Sequence, residues 1–430
     1  MKIKLKNANI MVSPEKEIFF GEIVICGDKI EYIGKEQKEN NENQVDRVID
    51  CKGNLVMSSF CNTHAHSAMT LMRGIAEDVT LESWLFDKIF PMEKHLTYED
   101  IYWGTKLAQL EMVRGGTTCY ADMYLNMDAM AEAIKNTPLD GAIVSAPTDF
   151  DGSVESSIIR VEKYYNKYNG VQDNLKFIMG LHAEYTCCEK LISAFSDLAI
   201  SYGAQTYIHM SETLDEVGKC TTRHNGLTPP QYLHKLGFFE NGAICAHCTH
   251  VDKDDIAIMR ESNVYPAINS CSNLKLGSGI APVNSMISNG LTLTIGTDGA
   301  ASNNALSMFR EMYLFSSLQK GVLNDASVAP AVEALKASTV NGFKALGFDG
   351  GTLEVGKKAD MIIVDLSAPN MRPINSIKNS LVFSADNSNV LTTISNGQIV
   401  YDKGEYFVGE DVDKIYAECE KSIKRIKSLV

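Results

Sequence analysis

Between residues 55 and 298 the sequence alternates eight short apolar runs with helical stretches, a pattern few folds can satisfy. The runs are Leu55–Cys61, Thr117–Asp122, Ala142–Thr148, Lys176–His182, Gln205–Met210, Ala243–His247, Val264–Ser270 and Leu291–Asp298. The stretch Tyr98–Arg114 shows how they are separated: it has helical periodicity and stops at Gly115-Gly116, as a helix should. Eight strand–helix units in succession predict an α/β fold, a (β/α)8 TIM-type barrel. A doubly wound sheet competes, but it usually runs to fewer strands.

The chain ends follow another pattern. Lys2–Val12, Glu17–Cys26, Lys29–Ile33 and Val45–Asp50 read as short strands. Far away, "GKKADMIIVDL" and "VLTTISNGQIVYDKGEYF" read the same way, the second as a hairpin turning at Asn396-Gly397. Neither end holds enough strands for a stable sheet of its own. The expected organisation is therefore a small β-sandwich built from 1–57 and 353–430, around a barrel of 58–352. A lysine-rich helix, Glu410 to Leu429, closes the chain.

Composition narrows the function classes. The net charge of −14 argues against a nucleic-acid surface, which needs a basic patch. No uncharged apolar run is long enough to cross a membrane, and the alternating N-terminus reads as a strand rather than a signal peptide. Eleven cysteines, an odd number, are expected as reduced thiols in a cytoplasm. Cys245-Ala-His-Cys248 has no second ligand pair at a zinc-knuckle spacing and reads as two buried small residues.

Active-site groups of such a barrel stand at the C-terminal ends of its strands. Five of the nine histidines fall there: His64 and His66, His182, His209 and His247, with Asp298 ending the eighth run. His95, His224, His234 and His250 fall in helices or loops and read as structural or solvated. His64 and His66, two apart on a strand, point to one face. A lone His-x-His is a weak signal, but with His209 and Asp298 it makes a plausible first shell for a divalent cation, zinc or iron. The fourth run starts with Lys176 and ends in His182, so no lysine stands where it could bridge two metals. One ion per chain is expected. Glu212, three residues after His209 in "HMSE", is a candidate proton carrier, and His247 a candidate for stabilising developing charge. The bland alternatives are a helix-opening carboxylate for Glu212 and a satisfied core histidine for His247.

Taken together, "NTHAHSAMTLMRG", "HMSE", "AHCTH", "GTDGAASNN" and the closing "GTLEVGKKADMIIVDL" resemble the amidohydrolase superfamily over nearly the whole chain. Within it, "HSAMTLMRGIAEDVTLESWLFDKIFPMEKHLT" and "SCSNLKLGSGIAPV" are similar to the 5-methylthioadenosine/S-adenosylhomocysteine deaminases. That resemblance implies a metal-dependent hydrolase that removes the 6-amino group of an adenine nucleoside as ammonia. The nucleoside would be 5′-methylthioadenosine, S-adenosylhomocysteine, 5′-deoxyadenosine or adenosine. It implies Glu93 on the ribose hydroxyls, His182 on the nucleoside and Trp84 as a pocket wall. It gives Glu212 and Asp298 roles in both substrate binding and proton transfer, and it implies a dimer or tetramer. The chain departs from the pattern around its third strand, where "LDGAIVSAPTDFDGS" carries no arginine for a homocysteine carboxylate. A neutral 5′ group suits that pocket better, unless a neighbouring subunit supplies the arginine. The rival functions are a hydrolase of guanine, a pterin, a triazine or a cyclic amide on the same scaffold, and a non-catalytic scaffold.

Overall fold

The computed structural model describes residues 1–35 and 45–430. Seven parallel strands follow one another in chain order: Phe60–His66, Thr117–Met123, Asp140–Val144, Leu175–Ala183, Thr206–Met210, Ala243–His247 and Val264–Ile268. The eighth position differs from the continuous strand expected over Leu291–Asp298. It is two short pieces, Thr294–Ile295 pairing with the seventh strand and Asp298–Gly299 pairing with the first. The sheet thus closes on itself as a barrel. The break lies at Gly296, where a Cβ would come within 2.5 Å of the His64 Cβ and of Asn269 Oδ1. The chain there changes partners, Gly296 donating to Ile268 and Thr297 to His64. The expected strand Val264–Ser270 also stops early, and Ser270–Lys275 begins a helix.

The run Leu55–Cys61 is two strands rather than one. Leu55–Ser58 pairs with Asn9–Met11 and with Met361–Val364, whereas Phe60–His66 opens the barrel. Period-two alternation splits the first piece between two cores. Val56 joins Ile3, Leu5, Ile10, Ile25, Met361 and Ile363 in the core of the small module, while Leu55 and Met57 face the barrel's. Both pieces are apolar, so the handover at Ser59 leaves no mark in composition.

The two chain ends share one nine-stranded sheet. Its hairpin turns at Asn396 and Gly397, with φ of 48° and 71°, as a two-residue turn with left-handed central residues requires. The helix Tyr98–Arg114 starts at Thr97, whose capping box with Asp100 satisfies the first free N–H groups. The terminal helix Val412–Lys427 lies against it, with the Cys419 thiol donating to the Trp103 carbonyl.

Inside the barrel, small residues leave room for a plug. Cys61, Cys119, Ala121, Ala142, Val144, Ala246 and Ala267 surround Phe343, Leu346 and Phe348 of the helix Val340–Leu346 and the turn after it. Gly342 permits that approach, since a Cβ there would lie 2.8 Å from the Cys61 Cβ. One end of the barrel is thereby filled. The other end, where the strands finish, is left for chemistry. Among the described residues no helix is long and apolar enough to cross a membrane. All eleven cysteines are free, and Cys245 and Cys248 are buried, as their surroundings predicted.

Candidate metal centre and catalytic pocket

Side chains at the ends of the first, fifth, sixth and eighth strands meet within a few ångströms of one another. Asp298 Oδ1 lies 3.4 Å from His64 Nε2 and 3.2 Å from His66 Nε2. His209 Nε2 is 3.3 Å from His66 Nε2. His64, His209 and His247 also bring their ring nitrogens within 4.8 Å of one another. The structure therefore gathers His64, His66, His209 and Asp298 around one point, with His247 on its flank.

What the other ring nitrogens do decides the chemistry. His66 Nδ1 meets the Met123 carbonyl, and His209 Nδ1 meets the His182 carbonyl at 2.7 Å. A carbonyl only accepts, so both Nδ1 atoms carry the proton and both Nε2 lone pairs are free. His64 Nδ1 lies 2.9 Å from the Tyr207 hydroxyl, which itself donates to the Thr63 carbonyl at 2.6 Å. That hydroxyl must then accept from His64, which frees the third Nε2. His64 Nε2 is fully buried and has no hydrogen-bond partner among the described residues. Three inward lone pairs and a carboxylate make a donor set that fits a divalent cation, each imidazole oriented by a partner on its far side.

Electrostatics agrees with that reading for two of the three imidazoles. Burial pushes His64 down to about 4 and His209 well below the usual imidazole range, so both are neutral at pH 7. Neutral imidazole is the ligating form. Burial opposes the ionised form of Asp298, but the facing His64 and His66 rings hold it well below the ordinary carboxyl range. Burial would likewise lower His66, and Asp298 raises it above the usual value instead. The second oxygen of Asp298 accepts from Ser272 Oγ at 2.5 Å and Ser302 Oγ at 2.9 Å.

Left-handed backbone occurs at the site as well. Ser211, His247 and Asp298 have φ of 53°, 72° and 61°. The left-handed region costs a non-glycine residue about 1–2 kcal/mol, so surrounding structure must hold these turns in place. Ser211 stands just past the fifth strand, His247 is the last residue of the sixth, and Asp298 opens the short piece that pairs with the first.

The remaining residues singled out from sequence surround this point. Glu212 is buried, with Oε2 3.8 Å from His247 Nε2 and Oε1 accepting from Ser278 Oγ at 2.9 Å. His247 Nδ1 lies 2.8 Å from Asn273 Oδ1. The His182 ring stands 5.0 Å from that of His209, and its Nδ1 lies 3.0 Å from the Thr186 hydroxyl. Glu93 ends the helix Phe90–Glu93, near enough to Tyr124 and His66 to interact with both, and burial raises its carboxyl. Trp84 is buried and its indole N–H has no partner among the described residues. The Tyr124 hydroxyl is likewise buried without a hydrogen bond.

Two of the histidines read as structural or solvated prove more specific. His250 Nε2 donates to the Ser278 carbonyl at 2.6 Å, in the same residue whose hydroxyl binds Glu212. His224 lies 2.8 Å from Glu184 and stacks on Tyr232. Tyr207, Ser272, Asn273 and Ser302 went unseen in the sequence. Tyr207 precedes His209 by two and so shares its strand face, and the other three lie in stretches that carry the family resemblance.

Residues 55–400 match the amidohydrolase family. A 5-methylthioadenosine/S-adenosylhomocysteine deaminase of Caldanaerobacter subterraneus is 39% identical over 432 residues, 99% of each chain. A 5′-deoxyadenosine deaminase of Methanocaldococcus jannaschii is 37% identical over 424 residues, covering 98% of this chain and 99% of that one. Among solved structures, a zinc-bound adenosine deaminase from Xanthomonas campestris superposes with a TM-score of 0.92 at 28% identity, covering 99% of this chain and 98% of that one. The histidine and carboxylate cluster at the barrel mouth is thus found in a chain that belongs to the amidohydrolase family.

Proposed function

We propose that this protein hydrolyses the C6–N6 bond of an adenine nucleoside, giving the inosine-type product and ammonia. The observation that carries the reading is the convergence of three free imidazole Nε2 atoms and Asp298 beside His247 and Glu212. The deaminases named above support it. His64, His66, His209 and Asp298 would hold one divalent ion, zinc in the first place, as in the Xanthomonas campestris structure. When bound, the ion polarises water so that it can act as a nucleophile near neutral pH.

This chain's own groups then move the protons. Glu212 gives a proton to purine N1, which makes C6 electrophilic. Asp298 takes one proton from the attacking water, with His247 hydrogen-bonded to its oxygen. The new C6–O bond creates a tetrahedral carbon. Asp298 passes its proton to the amine, the C6–N6 bond breaks and ammonia leaves. The remaining hydroxyl proton returns to Glu212 as the C6 carbonyl forms, so atoms and charge balance. Glu93 would accept from the ribose hydroxyls, His182 would contact the nucleoside and Trp84 would wall the base.

A neutral 5′ substituent fits best. Arg160, Lys190, Lys219 and Arg223 stand on the segments after the third, fourth and fifth strands, and each faces a carboxylate of this chain, at 3.6, 2.9, 2.6 and 2.5 Å. Phe150, Tyr185 and Leu214 on the same segments are exposed and apolar. A homocysteine carboxylate bound by one of these cations would have to displace its present partner. A dimer or tetramer in a reducing cytoplasm belongs to the same reading. Sedimentation measures the assembly.

The test is an absorbance assay of adenosine, 5′-methylthioadenosine, 5′-deoxyadenosine and S-adenosylhomocysteine side by side. Deamination of the first three, with S-adenosylhomocysteine slowest, is expected. No deamination of any of them sinks the activity, and fastest turnover of S-adenosylhomocysteine sinks the preference.

A further inference from the structure

We infer that Glu216 is a positioning residue for Glu212: its carboxylate shapes the turn that aims Glu212 into the pocket. The inference rests on the deaminase reading above. Glu216 is buried, 6% exposed, one turn into the helix Leu214–Arg223. Its Oε1 accepts the Ser211 N–H and its Oε2 the Glu212 N–H, both at 2.7 Å.

An ordinary helix start explains less. The cap is Thr213, whose hydroxyl accepts the Glu216 N–H at 3.1 Å. In a capping box the glutamate at this position reaches back to the N–H of the cap residue itself. Glu216 bypasses Thr213 and reaches two residues outside the helix. There, left-handed Ser211, with φ of 53°, turns two successive N–H groups towards one point. Such a backbone nest binds an anion, and here the chain supplies its own. The arrangement is costly on its face, because a carboxylate has been buried near a second one to hold two peptides.

Its consequence is directional. The Ser211 carbonyl accepts from Thr249 and His250 at 3.0 and 2.9 Å, and Met210 accepts from Cys248 at 3.0 Å. The turn after the fifth strand is therefore joined to the turn after the sixth, which begins at His247. On the far side, Ser278 holds Glu212 Oε1. Glu216 fixes the peptide from which the Glu212 side chain departs, and Ser278 fixes the tip. Releasing the peptide lets the Glu212 carboxylate swing away from His247. A misplacement of about 1 Å in a catalytic group can cost about 10²-fold in rate.

The test is a double-mutant cycle on metal-loaded full-length protein with 5′-methylthioadenosine. Glu216→Gln puts an amide N–H against a backbone N–H and should lower kcat about 10²-fold. KM should change little, and bound metal per chain should equal that of the parent. In a Glu212→Gln background the same change should cost little more, because a group acting through Glu212 has nothing left to aim. Glu216→Asp keeps the charge with a shorter reach and should give a smaller loss under the same non-additivity, which covers a poorly folding Glu216→Gln. Losses that multiply with that of Glu212→Gln, loss of metal, or near-normal kcat in Glu216→Gln would each overturn the inference. An inactive parent protein would instead sink the deaminase reading, which keeps the two failures apart.

Discussion

The two ends of the barrel bury charge in opposite ways. At the N-terminal end, Lys358 Nζ lies 3.0 and 3.3 Å from the two oxygens of Asp140, and Asn396 donates to the same carboxylate at 3.1 Å. These contacts tie the small sheet to the barrel. At the C-terminal end, three imidazole lone pairs and a carboxylate face one another with no donor among them. Their remaining atoms are satisfied outward, by Tyr207, Met123, His182, Ser272 and Ser302. One end spends its buried polar groups on each other, and the other holds them ready for an ion.

That contrast can be tested from both sides. The largest effect should come from stripping the divalent ion with a chelator. Deamination should fall to the detection limit and return with added zinc, while activity that persists in metal-free protein would remove the ion from the reaction. Next, Glu212→Gln should keep the metal and lose about 10²–10⁴-fold in kcat, the usual worth of a general acid–base group. A variant that turns over normally rules Glu212 out as proton carrier. At the opposite end, Asp140→Ala leaves Lys358 buried without its partner and should cost about 3–5 kcal/mol of unfolding free energy in urea. The surviving folded protein should show unchanged kcat, and a large drop in kcat instead would mean that the two ends are not separable.

A pH experiment probes the same end more gently. Burial and the neighbouring Asp140 push the Asp360 carboxyl from its ordinary 3.8 up to about 7. Between those values the folded state binds the proton and the unfolded state does not, so stability should fall as pH rises from about 4 to about 7. Asp360→Asn, which keeps the oxygen that accepts from the Asn396 N–H at 2.8 Å, should flatten that slope. An unchanged slope assigns it to another group. The smallest effect belongs to the surface. Lys190 and Glu155 are 70% and 66% exposed, and Lys190→Ala should cost no more than about 1 kcal/mol.

Much of this molecule could be read one strand at a time. The helix Tyr98–Arg114 has the bounds expected of it, because its stop signal is local. The hairpin at Asn396-Gly397 is local too. His64 and His66 announce themselves because a spacing of two is itself a geometric statement. Harder were features whose cause lies in another part of the chain. Leu55–Ser58 and Phe60–His66 look alike, yet one pairs with Met361–Val364 and the other with Thr117–Met123. Thr294–Gly299 divides at Gly296 because barrel closure demands a change of neighbour. Ser272 and Ser302 are ordinary serines until Asp298 arrives between them.

The linear order of residues thus determined the alternation of strands and helices, the faces on which histidines would stand and the types of group available for ligating an ion. These are short-range matters, set by backbone periodicity and side-chain chemistry. Only the closed barrel decided which nitrogen of each imidazole faces inward, since that depends on acceptors such as Met123, His182 and Tyr207 brought in from other strands. Hydrogen bonds act over about 3 Å, and no spacing along a chain can report a neighbour that arrives from another strand.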